Sequence, residues 1–167
     1  MITVAEIDAE HLRTVMSHFA TGVVVITGID EVGEPAGMTA QSFVSLSLDP
    51  PLVMVSPARD SKSWGRIAAG GRFAINVLGG HQHELSSRFA QHRDDKFSGV
   101  RWLPGQLGLP LLDGAIAHIE CEIADVFPGG DHYIAVGHVR TLNSVVDDPE
   151  PLLFFRAGYR SLDRKRR

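Results

Sequence analysis

Ala115-Ile116-Ala117-His118-Ile119-Glu120-Cys121-Glu122-Ile123-Ala124-Asp125-Val126, and after a short break Tyr133-Ile134-Ala135-Val136-Gly137-His138-Val139-Arg140-Thr141-Leu142, is the stretch that decides the fold. Both halves read as long strands. Pro128-Gly129-Gly130-Asp131 between them has the composition of a hairpin connection. Cys121 shares an apolar face with Ile119 and Ile123, so it reads as core and not as a nucleophile. His118 and His138 lie in the strands and read as structural residues.

Working outward, more strands appear on both sides. Phe73-Ala74-Ile75-Asn76-Val77-Leu78 is a strand stopped by Gly79-Gly80. Leu52-Val53-Met54-Val55 starts another. Val44, Leu46 and Leu48 alternate with Ser45 and Ser47, and Asp49-Pro50-Pro51 ends that strand because prolines cannot donate to a ladder. Val23-Val24-Val25-Ile26-Thr27 is a β-branched run too short for a typical helix. Residues 29–36 carry Asp, Gly and Pro and read as a turn. Residues 104–114 read as an ordered loop, and Leu152-Leu153-Phe154-Phe155 as a last strand or the approach to a docking piece. Helices are expected over residues 8–20, 61–69 and 82–90. The first places Leu12, Val15, Met16 and Phe19 on one face, with Asp8 as N-cap. The second ends at Gly70-Gly71. Six or so strands in hairpin-like order, with few long helices between them, predict a mainly β protein. An antiparallel Greek-key barrel with peripheral helices fits them, and a parallel βαβ sheet does not. No internal repeat or long linker divides residues 1–167, so one domain is expected.

Composition narrows the function classes. The chain has 167 residues, 44% hydrophobic and 22% charged, so a core without disulfide or metal support is expected. A net charge of -4 gives no support for nucleic acid or an anionic membrane as partner. Arg164-Lys165-Arg166-Arg167 reads as a solvated tail. One cysteine excludes an intrachain disulfide and suits a reducing cytoplasm. Met1 to Glu6 carries no secretory pattern, and no apolar run reaches the roughly 18 residues that span a bilayer. His81-Gln82-His83 lacks further ligands at metal spacing, so no metal site is expected. No Gly-x-Ser-x-Gly, Walker or Gly-x-Gly-x-x-Gly pattern occurs, which removes a hydrolase elbow, an NTPase and a Rossmann domain.

Three segments could carry chemistry. Gly37-Met38-Thr39-Ala40-Gln41-Ser42-Phe43 has the small and hydroxyl residues that let a planar ligand approach backbone amides. A polar strand start would look the same. Arg59-Asp60-Ser61-Lys62-Ser63-Trp64 opens a helix, where free N–H groups, the dipole, two hydroxyls and a lysine suit a phosphate. Asp60 or Ser61 is equally a plain N-cap. Gly130-Asp131-His132-Tyr133 could present His132 to a dinucleotide, or be ordinary turn chemistry.

Taken in order, five segments carry a resemblance: Phe19-Ala20-Thr21-Gly22-Val23, Gly37 to Phe43, Ser47-Leu48-Asp49-Pro50-Pro51-Leu52-Val53, Phe73 to Leu78, and Gly130-Asp131-His132. The chain resembles the flavin reductase-like, FMN-binding split-barrel family, and within it the reductase components of two-component aromatic hydroxylases. The resemblance covers roughly residues 10–160. It implies a homodimer of split β-barrels with FMN or FAD bound near the subunit interface. It implies NAD(P)H:flavin oxidoreductase activity and a partner monooxygenase that consumes reduced flavin; no Arg or Lys is clearly placed for a 2′-phosphate, which tilts the donor to NADH over NADPH. By the same resemblance Met38, Thr39, Ala40, Gln41, Ser42 and Phe43 line the flavin ring, their amides and hydroxyls meeting its polar edge. Ser61, Lys62 and Ser63 hold its phosphate. Asn76, Val77 and Leu78 pass close to it, and Ser56 belongs to the same cofactor-binding set. His132 meets the nicotinamide dinucleotide, and Arg88, Phe89 and Tyr159 approach the site. Hydride passes between two cofactors, so no catalytic side chain is expected. The alternative on the same barrel is a non-reductase flavin protein: a store, a sensor or a pyridoxamine-phosphate-oxidase-like enzyme.

Overall fold

The structure is a computed structural model that describes residues 7–145 and 149–162. The N-terminal segment Met1 to Glu6 and the basic tail Arg164 to Arg167 lie outside the described residues. In chain order the elements are α1 (Ala9–Met16), β1 (Thr21–Gly22), β2 (Val24–Ile29), β3 (Pro35–Ala40), β4 (Val44–Leu48) and β5 (Pro51–Val55). Then come α2 (Lys62–Ala69), β6 (Arg72–Val77), α3 (His83–Ala90), β7 (Trp102–Pro104) and β8 (Pro110–Leu112). The chain continues with β9 (Ala117–Gly129), β10 (His132–Ser144), β11 (Leu153–Phe155) and β12 (Gly158–Arg160). None of these helices is long and apolar enough to cross a membrane.

The long hairpin β9–β10 is the centre of a seven-stranded sheet ordered β3-β2-β6-β9-β10-β5-β4. Every pairing in it is antiparallel. The protein is therefore mainly β with three helices. Two smaller sheets, β1-β11-β12 and β7-β8, flank it.

The β-branched run of β2 is continuous because both of its faces are buried. Val24 and Ile26 enter one core with Trp64 and Ile67 of α2, Phe73, Ile75 and Cys121. Val23 and Val25 enter a second core with Leu78, Phe89 of α3, Leu112 and Leu152. Cys121 is fully buried, and burial pushes its thiol up to about 12, which suits packing and not reactivity. Gly137 of β10 leaves room for the Phe73 ring: a Cβ there would collide with Phe73 Cζ.

Several sequence expectations are corrected. The turn over 29–36 is shorter, and Pro35 to Ala40 form β3, paired with β2 from Pro35↔Ile29 to Ala40↔Val24. Asp30 closes the tight connection by accepting from Val32 N and Glu34 N, while Arg66 of α2 donates to its other oxygen. The Glu34 N–H and the Arg66 guanidinium hold the Asp30 carboxyl below the usual range. Residues 104–114 are not only loop, since they contain β8, which pairs with β7 at their start. Glu120 folds this segment down: it is buried and accepts from Gln106 N, Leu107 N and Thr141 Oγ1. Helix α1 is capped by Asp8, whose carboxylate accepts from His11 N at 2.7 Å, but it stops at Met16. Its apolar face is uncovered, as are Val44, Leu46 and Leu48 of β4. A bulge between Ser45 and Ser47 breaks the alternation on β4.

Candidate functional site: a cleft between a sheet edge and two helix ends

Strand β3 is the edge of the large sheet, so on one side its peptide groups have no strand partner. Against that edge lie the N-terminus of α2, the C-terminus of α3 and the segment after it. They enclose a cleft of about 450 Å³. Gly37, Met38 and Thr39 form one wall, Asp60, Ser61, Lys62 and Ser63 another, and Phe89 and Lys96 lie among the remaining lining residues. Gly37 is needed for this approach: a Cβ would stand 2.6 Å from Phe89 Cε1.

The α2 wall has the features that suit an anion. Ser61 is the N-cap and accepts from Trp64 N at 3.2 Å. The N–H groups of the next two residues, Lys62 and Ser63, have no acceptor within the helix. Their N–H groups, the helix dipole and the exposed Lys62 side chain converge on one side of the cleft. The Ser61 cap and the free N–H groups thus lie on neighbouring residues.

The β3 wall offers backbone more than hydroxyls. Thr39 Oγ1 donates to Ser86 O at 2.6 Å. Ser42 Oγ donates to Ser56 O and accepts from Ser56 N, and Ser56 Oγ donates to Tyr133 O. These hydroxyl hydrogens are committed to the protein, so a planar ligand along residues 39–43 would be met by amides. Gln41 is exposed and accepts from Thr21 Oγ1, Ala40 is half-buried, and Phe43 packs on the first core.

The Gly-Asp-His turn is tied to the same region. Ala58, which lines the cleft, bridges to His132. Arg59 N donates to Asp131 O and Tyr133 N to Pro57 O, and the Arg59 guanidinium lies 5.2 Å from the Tyr133 ring centre. His132 is half-buried, and its Nδ1 lies 2.8 Å from Asp131 Oδ1, a contact that lowers the Asp131 carboxyl.

Other expected site residues fall elsewhere. Asn76 is fully buried and its amide is consumed by Val25 O, Thr27 Oγ1 and Leu112 N. Leu78 is fully buried in the second core, and Val77 packs on the first. Arg88 turns away from the cleft and donates to Ser98 O. Tyr159 donates to Ser86 Oγ, one residue chain removed from Thr39. Two residues that sequence reasoning passed over matter here. Ser86 is buried and joins Thr39 to Tyr159, and Lys96 is buried in the wall of the cleft. A polar loop containing Asp94-Asp95-Lys96 carries no local sign that its lysine folds inward.

An edge strand offering amides, beside a helix N-terminus offering an anion site, suits a ligand with a flat polar ring and a phosphate, which is the shape of a flavin nucleotide. The fold and cleft define the class of flavin-binding split barrels. The chain belongs to the flavin reductase-like domain family, whose model matches residues 16–163. It is 44% identical over 161 residues to the reductase subunit HsaB of a flavin-dependent monooxygenase from Mycobacterium tuberculosis, covering 95% of this chain and 85% of that protein. It superposes with a TM-score of 0.90 on nitrilotriacetate monooxygenase component B from Mycobacterium thermoresistibile, at 44% identity, covering 95% and 88% of the two chains. The NADH:FAD oxidoreductase SgcE6 of Streptomyces globisporus, solved with NAD and FAD fragments, matches with a TM-score of 0.89 at 39% identity, covering 96% and 99%.

Proposed function

We propose that this protein is an NADH-dependent flavin reductase that supplies reduced flavin to the oxygenase of a two-component monooxygenase. The observation that supports the reading is the cleft between the β3 edge and the α2 N-terminus, with Ala58 of its lining bridged to His132 of the Gly130-Asp131-His132 turn. A bound flavin would supply the hydride-accepting ring, and NADH the hydride. The chain's own work is binding and orientation. The amides of residues 39–43 favour negative charge at the ring's polar edge, held in place before reaction. The start of α2 anchors the phosphate, with Ser61, Lys62 and Ser63 as its residues. His132, bridged to Ala58 of the cleft lining, is the candidate contact for the nicotinamide dinucleotide. FMN and FAD are both candidate flavins, and NADPH is the competing donor.

The first test is NADH oxidation, followed by loss of its near-ultraviolet absorbance, with FMN or FAD added. Oxidation that saturates in flavin supports the reading. Flavin binding without oxidation by either nicotinamide leaves a store or sensor. H132A is expected to lower kcat/KM for NADH about tenfold, the loss of roughly one good hydrogen bond, with little change in flavin affinity. An equal loss toward both substrates would place His132 outside the nicotinamide site.

The uncovered apolar residues of α1 and β4 suit a second copy of the chain, and a homodimer is part of this proposal. A lone, buried cysteine suits the cytoplasm as location.

A further inference from the structure

Lys96 follows α3 in a stretch of charged residues, yet it is only 8% exposed. Its ammonium donates to Phe89 O at 3.0 Å, Gly37 O at 3.1 Å and Ser63 Oγ at 3.1 Å. An ammonium has three donors and no acceptor, so these contacts use it completely. All three partners are neutral, and among the described ion pairs none includes Lys96. Burial pulls its pKa down, and only the more distant Asp94 opposes that shift. Buried cations ordinarily have an anionic partner.

Part of this arrangement is structural. Phe89 O is among the last carbonyls of α3, where a cation is favoured, and Gly37 O is on the open edge of β3. The contact with Ser63 has a different consequence. Ser63 is the second residue of α2 and lines the cleft. Its oxygen accepts from Lys96, so its own hydrogen must point to another acceptor, and none is found among the described hydrogen bonds.

We propose that Lys96 is a positioning residue for the flavin phosphate: its ammonium occupies the Ser63 oxygen and makes the Ser63 hydroxyl a dedicated donor to an anion in the cleft. This rests on the reading of the cleft as a flavin phosphate site. The ammonium contributes its charge from beneath the cradle without touching the ligand. Asp60 and Asp94 also line the cleft, but neither is paired with Lys96 among the described ion pairs, and the phosphate is the anion that the Ser63 hydroxyl would meet.

The test compares FMN with riboflavin, which differ only in the phosphate, by flavin fluorescence titration of the full chain. The unaltered protein is expected to prefer FMN. K96M is expected to reduce that preference about tenfold while riboflavin affinity stays within about twofold, as for loss of a charge-assisted hydrogen bond. S63A is expected to lose a similar factor, and the double variant little more than either, because one residue acts through the other. If K96M does not fold, K96Q, which keeps N–H donors for the carbonyls, carries the same expectation. Variants that retain the preference, or that weaken both flavins equally, overturn the role of Lys96 and leave it a structural tie. An unaltered protein that binds both flavins equally removes the phosphate cradle itself, and the Lys96 proposal with it.

Discussion

Asn76→Ala is expected to destabilise the protein by about 3–4 kcal/mol and to leave FMN affinity per folded molecule unchanged. Asn76 sits in β6 with no exposed surface. Its Nδ2 donates to Val25 O at 3.1 Å and to Thr27 Oγ1 at 3.0 Å, and its Oδ1 accepts from Leu112 N at 2.7 Å. Thr27 in turn donates to Pro110 O at 2.6 Å. The amide thus pins β8 to β2 and β6. Alanine would leave the buried Leu112 N–H without its acceptor and the Val25 carbonyl without this donor, each a penalty of about 1–3 kcal/mol. In a chain of this size the midpoint of thermal unfolding should fall by roughly 10 °C. Thermal denaturation and FMN titration below the transition separate the two effects. A stable variant with FMN binding weakened tenfold would put Asn76 in the site instead of beneath it.

Asn76 also marks the boundary of what the sequence makes legible. Strands with a strong local signal, such as Val23 to Thr27 and the two long arms, are found close to where they are expected, although Pro128 and Gly129 join β9 and leave only Gly130 and Asp131 as the turn. Their signal is β-branching and turn chemistry, which act over a few residues. Strand β3 escapes because it begins with Pro35 and contains Gly37, both poor strand residues. Its edge position tolerates the proline, and the glycine makes room for Phe89. The segment around Ser61 announces itself because capping is a local pattern. Burial of Lys96 depends on Gly37, Ser63 and Phe89, spread over more than fifty positions, and no window along the chain contains it. The side chain of Asn76 lies in a strand expected beside the ligand, but only the fold decides that its amide serves Leu112. The alternation of Val44, Leu46 and Leu48 announces apolar side chains along β4, and not the bulge between Ser45 and Ser47 that breaks it or the exposure of all three.

That last point leads to the second large effect. Leu48→Asp is expected to dissociate the proposed dimer. Leu48 at the end of β4 is 91% exposed, and Phe19 in the turn between α1 and β1 is 77% exposed. Val44 and Leu46 on β4, and Leu12, Val15 and Met16 on α1, extend the uncovered surface. Strand β4 is the outer strand of its end of the sheet, so its free side is open to a partner. In a two-fold dimer each substitution occurs twice in the interface. Removing one buried leucine per copy costs roughly 1.5–3 kcal/mol, doubled by symmetry, before the desolvation of two aspartates is counted. The dimer dissociation constant should therefore rise at least about a hundredfold. Sedimentation velocity over a concentration series reads this directly, with thermal unfolding as the check that each chain still folds. F19D asks the same of the turn that follows α1 and continues its uncovered face. If both variants dissociate the dimer, both surfaces belong to one interface. If only L48D does, the α1 face is free for another partner, and the oxygenase is the one the proposed activity requires. If the unaltered chain is a monomer at micromolar concentration, the dimer is wrong, and both apolar faces need a partner of another kind.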